Sequence, residues 1–95
     1  MSMKINGMEE FQSICRHKLV EWYKKNMPVI YDEVVDITVG NTFVVWSVKT
    51  LQNYKCLVAT DVEADGIYAE YTFNGDKGEL YEDVYGKVSN NCFWD

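Results

Sequence analysis

Ninety-five residues support one compact domain, here 1–95, since a chain of this size buries only about two-thirds of its unfolded surface and cannot divide that between two cores. A hydrophobic share of 47%, with three Trp, seven Tyr and four Phe, excludes an intrinsically disordered chain, and no apolar run approaches the roughly 18 residues that cross a bilayer. The net charge of −6 is unevenly placed: residues 1–60 hold seven Lys/Arg against six Asp/Glu, whereas 61–95 hold nine Asp/Glu against Lys77 and Lys87, an acidic field that disfavours nucleic acid and membrane phosphates and attracts basic protein surfaces.

The first element is a helix over about 8–26. Phe11, Cys15, Leu19, Trp22 and Tyr23 recur at spacings of three and four and form one apolar stripe, which Ile14 and Val20 widen. Asn6 and Glu9 are spaced as a capping box, and Pro28 lacks the backbone donor that a further turn needs. The polar side of this helix carries Arg16, His17, Lys18, Lys24 and Lys25, the one markedly basic surface of the chain.

From Glu33 the period changes to two. Gly40-Asn41 has the chemistry of a tight hairpin turn, which would pair 33–39 with 42–48. In that register Val35, Ile37, Val39, Val44, Trp46 and Val48 share a core face under the helix, leaving Val34, Phe43 and Val45 on the other. A second hairpin spans about 54–74 around Asp65-Gly66, with Val58, Thr60 and Val62 on the same face as Ile67, Ala69, Tyr71 and Phe73. Both hairpins present apolar faces to one side only if the connection at 51–54 has an odd number of loop residues, or if a bulge intervenes.

Beyond Asn74-Gly75, Asp76 and Glu79 are again spaced as a capping box, and Leu80, Tyr81, Val84, Tyr85 and Val88 fit a second helix over about 77–89, against which Gly78 and Gly86 weigh. The tail, Cys92-Phe93-Trp94-Asp95, has the aromatics of a terminus docked on the body. The expected class is therefore α+β: an N-terminal helix, a four-stranded antiparallel meander and a C-terminal helix. Met1 to Asn6 lack the apolar stretch of a secretion signal, so a cytoplasmic protein is expected. Cys15, Cys56 and Cys92, odd in number and without a CxxC pair, read as reduced thiols.

The candidate functional residues are acidic. A two-residue turn in the second hairpin sets Asp61 across from Glu70 and Glu63 beside Tyr68, and like charges so placed need relief from a cation, a basic partner or solvent. Asp76, Glu79, Glu82 and Asp83 would occupy the first turns of the last helix, where the dipole favours them. With Asp65 these make eight carboxylates within 23 residues, a density that imitates the phosphates of nucleic acid and suits the basic groove of a nucleic-acid-handling protein. The plain alternative is a solvated face. Strand spacing alone does not converge oxygen ligands on a metal. His17 is the only histidine and sits between Arg16 and Lys18, and no glycine-rich phosphate loop is present, so neither catalysis nor a cofactor is expected. Lys49, Tyr54 and Lys55 interleave basic and aromatic groups, but the overall field opposes direct nucleic-acid binding.

The strings Val44-Val45-Trp46-Ser47, Lys49-Thr50-Leu51-Gln52-Asn53 and Tyr71-Thr72-Phe73-Asn74-Gly75-Asp76-Lys77 resemble a family of small proteins of phages and prophages of Gram-positive bacteria, over roughly 8–90. That resemblance implies an accessory protein acting in a bacterial cytoplasm and carries no site residues with it. The expectation is a non-enzymatic protein that binds and blocks a host protein with a basic surface, such as a defence nuclease, through Asp61, Glu63, Asp65, Glu70, Asp76, Glu79, Glu82 and Asp83. A structural, assembly or homo-oligomeric role is the alternative, motivated by Val34, Phe43 and Val45.

Overall fold

Four side chains spaced by four, Phe11, Cys15, Leu19 and Tyr23, bind one helix to one sheet. In a computed structural model that describes residues 3–31, 37–61 and 67–86, with the side chains of 27–31 left aside, all four are fully buried. They lie on helix α1, Met8–Tyr31. The helix runs one turn past the expected end: Pro28 forfeits a single backbone bond without stopping it. At its start the backbone N–H of Asn6 donates to the Glu10 carboxylate (3.0 Å), so Glu10 and not Glu9 closes the N-terminus.

The sheet has four antiparallel strands in the order β1-β2-β3-β4: β1 is Thr42–Thr50, β2 Asn53–Thr60, β3 Ile67–Asn74 and β4 Glu79–Gly86. The α+β class and the four-stranded meander agree with the sequence reading, but two elements differ. Of the C-terminal helix expected over 77–89, the described part is not helical: 79–86 are an edge strand paired to β3 from Asn74↔Glu79 to Ile67↔Gly86, and 87–89 lie outside the described residues. Alternation accounts for this. Leu80 and Val84 pack on the core while Tyr81, Asp83 and Tyr85 point away, and glycines at both ends resist a helix. The tail and Cys92 fall outside the described residues.

The hairpin expected around Gly40-Asn41 is also replaced. Val39–Asn41 form a single 3-10 turn, in which the Asn41 carbonyl oxygen Oδ1 accepts from the Thr38 backbone N–H (3.0 Å), so the asparagine caps instead of reversing the chain. Residue Ile37 is buried in the core, and Val34, Val35 and Asp36 lie outside the described residues. The partner of β1 is β2, joined through Leu51-Gln52. Leu51 sits at φ 58°, in the left-handed region, with its side chain 79% exposed. An L-residue there costs about 1–2 kcal/mol, so Leu51→Gly is expected to stabilise the fold by about 0.5–1 kcal/mol, net of the extra freedom of the unfolded chain. A shift of the urea midpoint at unchanged slope measures this, and a loss of stability refutes it.

That turn has an even number of residues, and a bulge resolves the facing problem. Pairing shifts between Val44↔Val58 and Trp46↔Leu57, with Val45 as the extra residue. Before it, Thr42 and Val44 face the helix. After it, Ser47 and Lys49 do, and Trp46 and Val48, expected in the core, point outward. The second hairpin holds its expected faces, with Cys56 and Val58 of β2 and Ala69, Tyr71 and Phe73 of β3 buried under α1. Its pairing is displaced from the two-residue-turn register, so Leu57 and not Asp61 lies opposite Glu70, but the displacement is even and preserves the faces.

Two contacts fix α1 over β1. Gln12 donates to the Ser47 hydroxyl (2.8 Å), and Arg16 donates through Nε to Thr42 Oγ1 (2.8 Å) and through one terminal nitrogen to the carbonyls of Val39 (2.9 Å) and Thr42 (3.1 Å). Arg16 is thus spent on the fold, not on a basic surface. At the other end of the sheet, a Cβ on Gly75 would overlap the carbonyl oxygen of Gln52, so the two adjacent hairpin ends meet at a distance only glycine permits.

Candidate protein-binding face

One helix covers one side of this sheet, and among the described residues nothing covers the other. Trp46 and Val48 are brought to that open side by the bulge, together with Phe43; Leu57 and Lys55 come from β2, Tyr68 and Glu70 from β3, and Glu79, Tyr81, Asp83 and Tyr85 from β4. Leu57 is half-buried, and the other large side chains are well exposed, from 39% for Tyr68 to 51% for Tyr81. Singly exposed apolar residues are ordinary, whereas a contiguous aromatic and aliphatic face on a monomer marks a contact surface.

The face is graded in character. Toward β1 it is aliphatic and aromatic without charge. Toward β4 tyrosines and carboxylates alternate: Tyr68 and Tyr85, paired across β3 and β4, stack at 5.3 Å between ring centroids with 23° between planes. Glu70 stands directly across from Asp83, the like-charge opposition expected for Asp61 and Glu70 realised with a different partner. Lys55 reaches Glu70 at 3.0 Å from the neighbouring strand and offsets one of the two charges. Tyr81 donates its hydroxyl to the Glu79 carboxylate, which holds the phenol above its usual pKa. With Lys55 against Glu70, Glu79 and Asp83, the face carries an excess of negative charge.

Of the eight candidate carboxylates, the six that lie among the described residues do not share one surface. Glu70, Glu79 and Asp83 share the open face. Glu82, between them in sequence, points to the helix side, where it accepts the Tyr71 hydroxyl (2.7 Å); burial and this bond hold the phenol far above its ordinary pKa. Asp61 lies at one end of the sheet beside Asn41, whose side-chain amide donates to it (3.2 Å), and Asp76 lies at the opposite end, accepting from Gln52. Glu63 and Asp65 fall outside the described residues. The sequence reading missed Trp46, Tyr68, Tyr81 and Tyr85 as members of a shared face. The strict alternation of Leu80, Glu82 and Val84 with Tyr81, Asp83 and Tyr85, in a tyrosine-rich segment, was the available signal for the last two.

A groove of about 430 Å³ opens on the helix side, between α1 and β4, lined by Lys18, Glu21, Trp22, Lys25, Asn26 and Glu82. Three of its four charged side chains are engaged: Lys18 meets Glu21 at 3.5 Å, and Glu82 accepts from Tyr71. His17 lies outside it, its Nδ1 in hydrogen-bond contact with the Ser13 carbonyl (2.7 Å) on exposed helix surface. Among the described residues no three His, Cys, Asp or Glu side chains are grouped as metal ligands, and no helix is long and apolar enough to cross a membrane.

No curated protein and no solved structure matches the chain. A family model described as "Family of unknown function (DUF6275)" matches residues 12–95, and the chain belongs to that family.

Proposed function

We propose that this member of the DUF6275 family is a non-enzymatic binding protein that docks a basic protein surface on the open face of its sheet. The observation that carries the reading is the juxtaposition on one uncovered face of exposed aromatics with carboxylates, Tyr68 and Tyr85 beside Glu70 and Asp83. Arginine and lysine side chains engage both kinds of group at once, through ring faces and through carboxylate oxygens. Tyr and Trp are the residues that most often carry the energy of a protein interface, since they bury much area while losing little rotamer freedom. The acidic surface inferred from sequence is thereby narrowed to three of its carboxylates and joined to apolar neighbours.

A narrower form of the proposal, a phage accessory protein that blocks a host protein, rests on the sequence resemblance alone. The test is capture of partners from bacterial lysate with the full chain, followed by affinity measurement on the purified partner. Glu70→Gln with Asp83→Asn is expected to remove the salt-sensitive part of binding, and Trp46→Ala or Tyr81→Ala to weaken it about tenfold or more. Asp61→Asn and Asp76→Asn, off the face, are expected to leave it unchanged. Binding that survives the face variants and is lost with Asp61 or Asp76 would sink the proposal. The uncharged β1 side of the face favours a second reading, self-association in an assembly role. Light scattering separates the two, since a strict monomer at high concentration refutes the second.

A further inference from the structure

The last strand is an edge without the usual protection. It has eight residues, pairs with β3 without a shift of register and contains no Lys, Arg or Pro, whereas β1, at the opposite edge, is interrupted by the bulge at Val45 and carries Lys49. Among the described residues β4 pairs only with β3, so its other side offers a row of backbone N–H and C=O groups; the Met3 N–H reaches only the Gly78 carbonyl, ahead of the strand (2.8 Å). Of the helix-side positions of β4 only Glu82 carries a charge that could guard the edge, and the Tyr71 hydroxyl draws it toward β3. Helix α1 lies over β1 and β2, which leaves the groove between α1 and β4 open at Glu82.

The charges of β4 select what pairs there. Toward the open face it presents Glu79 and Asp83 alternating with Tyr81 and Tyr85, and toward the helix Leu80, Glu82 and Val84. A second copy is disfavoured. Two β4 strands set antiparallel at nearly full overlap centre on Glu82 or on Asp83, each of which then faces its own copy, and β4 has no cation to offset the pair. A segment with Arg or Lys at alternate positions meets no such opposition: its cations stand beside Glu79, Asp83 and the tyrosine rings, and the groove's Lys18 and Lys25 repel them from the helix side. We propose that the edge of β4 takes up an extended basic segment of a partner protein as a fifth strand, with Arg or Lys toward the open face and apolar residues toward α1 and Trp22. The inference rests on the basic-partner reading above and adds which part of the partner is bound and the backbone hydrogen bonds that hold it. Parallel and antiparallel addition both keep the alternation, since the side-chain period of a strand is two.

The test adds a capped peptide of alternating Arg and Val, as long as β4, to the full chain. Binding is expected to slow hydrogen exchange at alternate amides of 79–86, those on the unpaired side, and to leave the amides of β1 unchanged. Glu79→Gln with Asp83→Asn is expected to weaken the peptide about five- to tenfold, Trp46→Ala, on the far strand, to leave its affinity unchanged, and a peptide of alternating Glu and Val not to bind. Binding that leaves β4 exchange unchanged and is weakened by Trp46→Ala overturns strand addition while the open-face reading stands. Protection of β4 with equal affinity for the doubly neutralised variant overturns the basic partner on which both readings depend. No binding at millimolar peptide overturns addition to this edge.

Discussion

Phe11→Ala is expected to cost about 3–5 kcal/mol, the range for removing a fully buried aromatic side chain from a core that cannot collapse around the gap. Phe11 is fully buried in the first turn of α1 and packs its ring on Tyr54 of β2 at 5.1 Å between centroids, and Tyr54 in turn lies 6.2 Å from Phe73 of β3. The row crosses from the helix over two strands, so the loss falls on the contact between layers and not on either layer alone. For a domain of this size each kcal/mol moves the melting temperature by about 4–8 °C, and total stability is about 5–15 kcal/mol, so the variant is expected to lose about a fifth of its stability or more. Urea unfolding followed by circular dichroism measures the change. A loss under 1 kcal/mol would show that α1 is not anchored at this end.

Arg16→Ala is expected to cost about 2–3 kcal/mol, because hydrogen bonds from a charged donor contribute about 1.5–3 kcal/mol and the acceptors left behind are partly shielded from water. The guanidinium serves three acceptors at once: Thr42 Oγ1 and the carbonyls of Val39 and Thr42. Thr42 is itself buried and returns a hydrogen bond to the Val39 carbonyl (2.7 Å), so Val39 keeps one partner, which holds the expected loss below the sum of three bonds. Arg16→Lys is expected to recover only part of it, since an ammonium cannot present the planar fork that spans these acceptors. Hydrogen exchange localises the effect. The amides of Asn41 and Asp61, bonded to the carbonyls of Thr38 and Asn41, should lose protection before those of β2 and β3. Equal loss across the sheet would mean that Arg16 acts globally and not as a clamp on this turn.

These two residues mark the boundary of what the amino-acid order disclosed. Phe11 belongs to a stripe of four buried side chains at constant spacing, and such a stripe has few readings other than a helix lying on a core. The face of the second hairpin was equally legible, since Val58, Ala69, Tyr71 and Phe73 alternate and an even change in loop length does not invert them. Arg16 was read as part of a basic surface because two of its three acceptors are backbone carbonyls 23 and 26 residues away, and carbonyls leave no trace in a sequence. The first hairpin was misplaced for a related reason. Gly40-Asn41 looks like a reversal, but Asn41 spends its side chain on Thr38, whereas the real reversal uses Leu51 and Gln52, neither of which advertises a turn. The last strand was hidden by a period that Leu80 and Val84, four apart, satisfy as helix and strand alike. The candidate site inherited both errors. Its carboxylates were identified as a group, but which share a face depended on a strand read as a helix, and its aromatics depended on a bulge.

The extra residue at Val45 also decides which kind of genetic change can rewrite this protein's exterior. Substitutions at Trp46 or Val48 alter single side chains on a surface that stays where it is. Loss of the residue at position 45 closes the bulge and leaves both halves of β1 in their present pairing, with Val44 across from Val58 and Trp46 across from Leu57, so Thr42 and Phe43 keep their faces. Loss of Lys49 instead lets Val45 take up regular pairing across from Leu57, which draws Trp46 and Val48 under the helix and leaves Thr42 and Val44 where they are. The display of aromatic residues is therefore encoded by chain length as much as by residue identity, and relatives of this chain that lack a single residue between the bulge and the turn are expected to present different faces on the same scaffold.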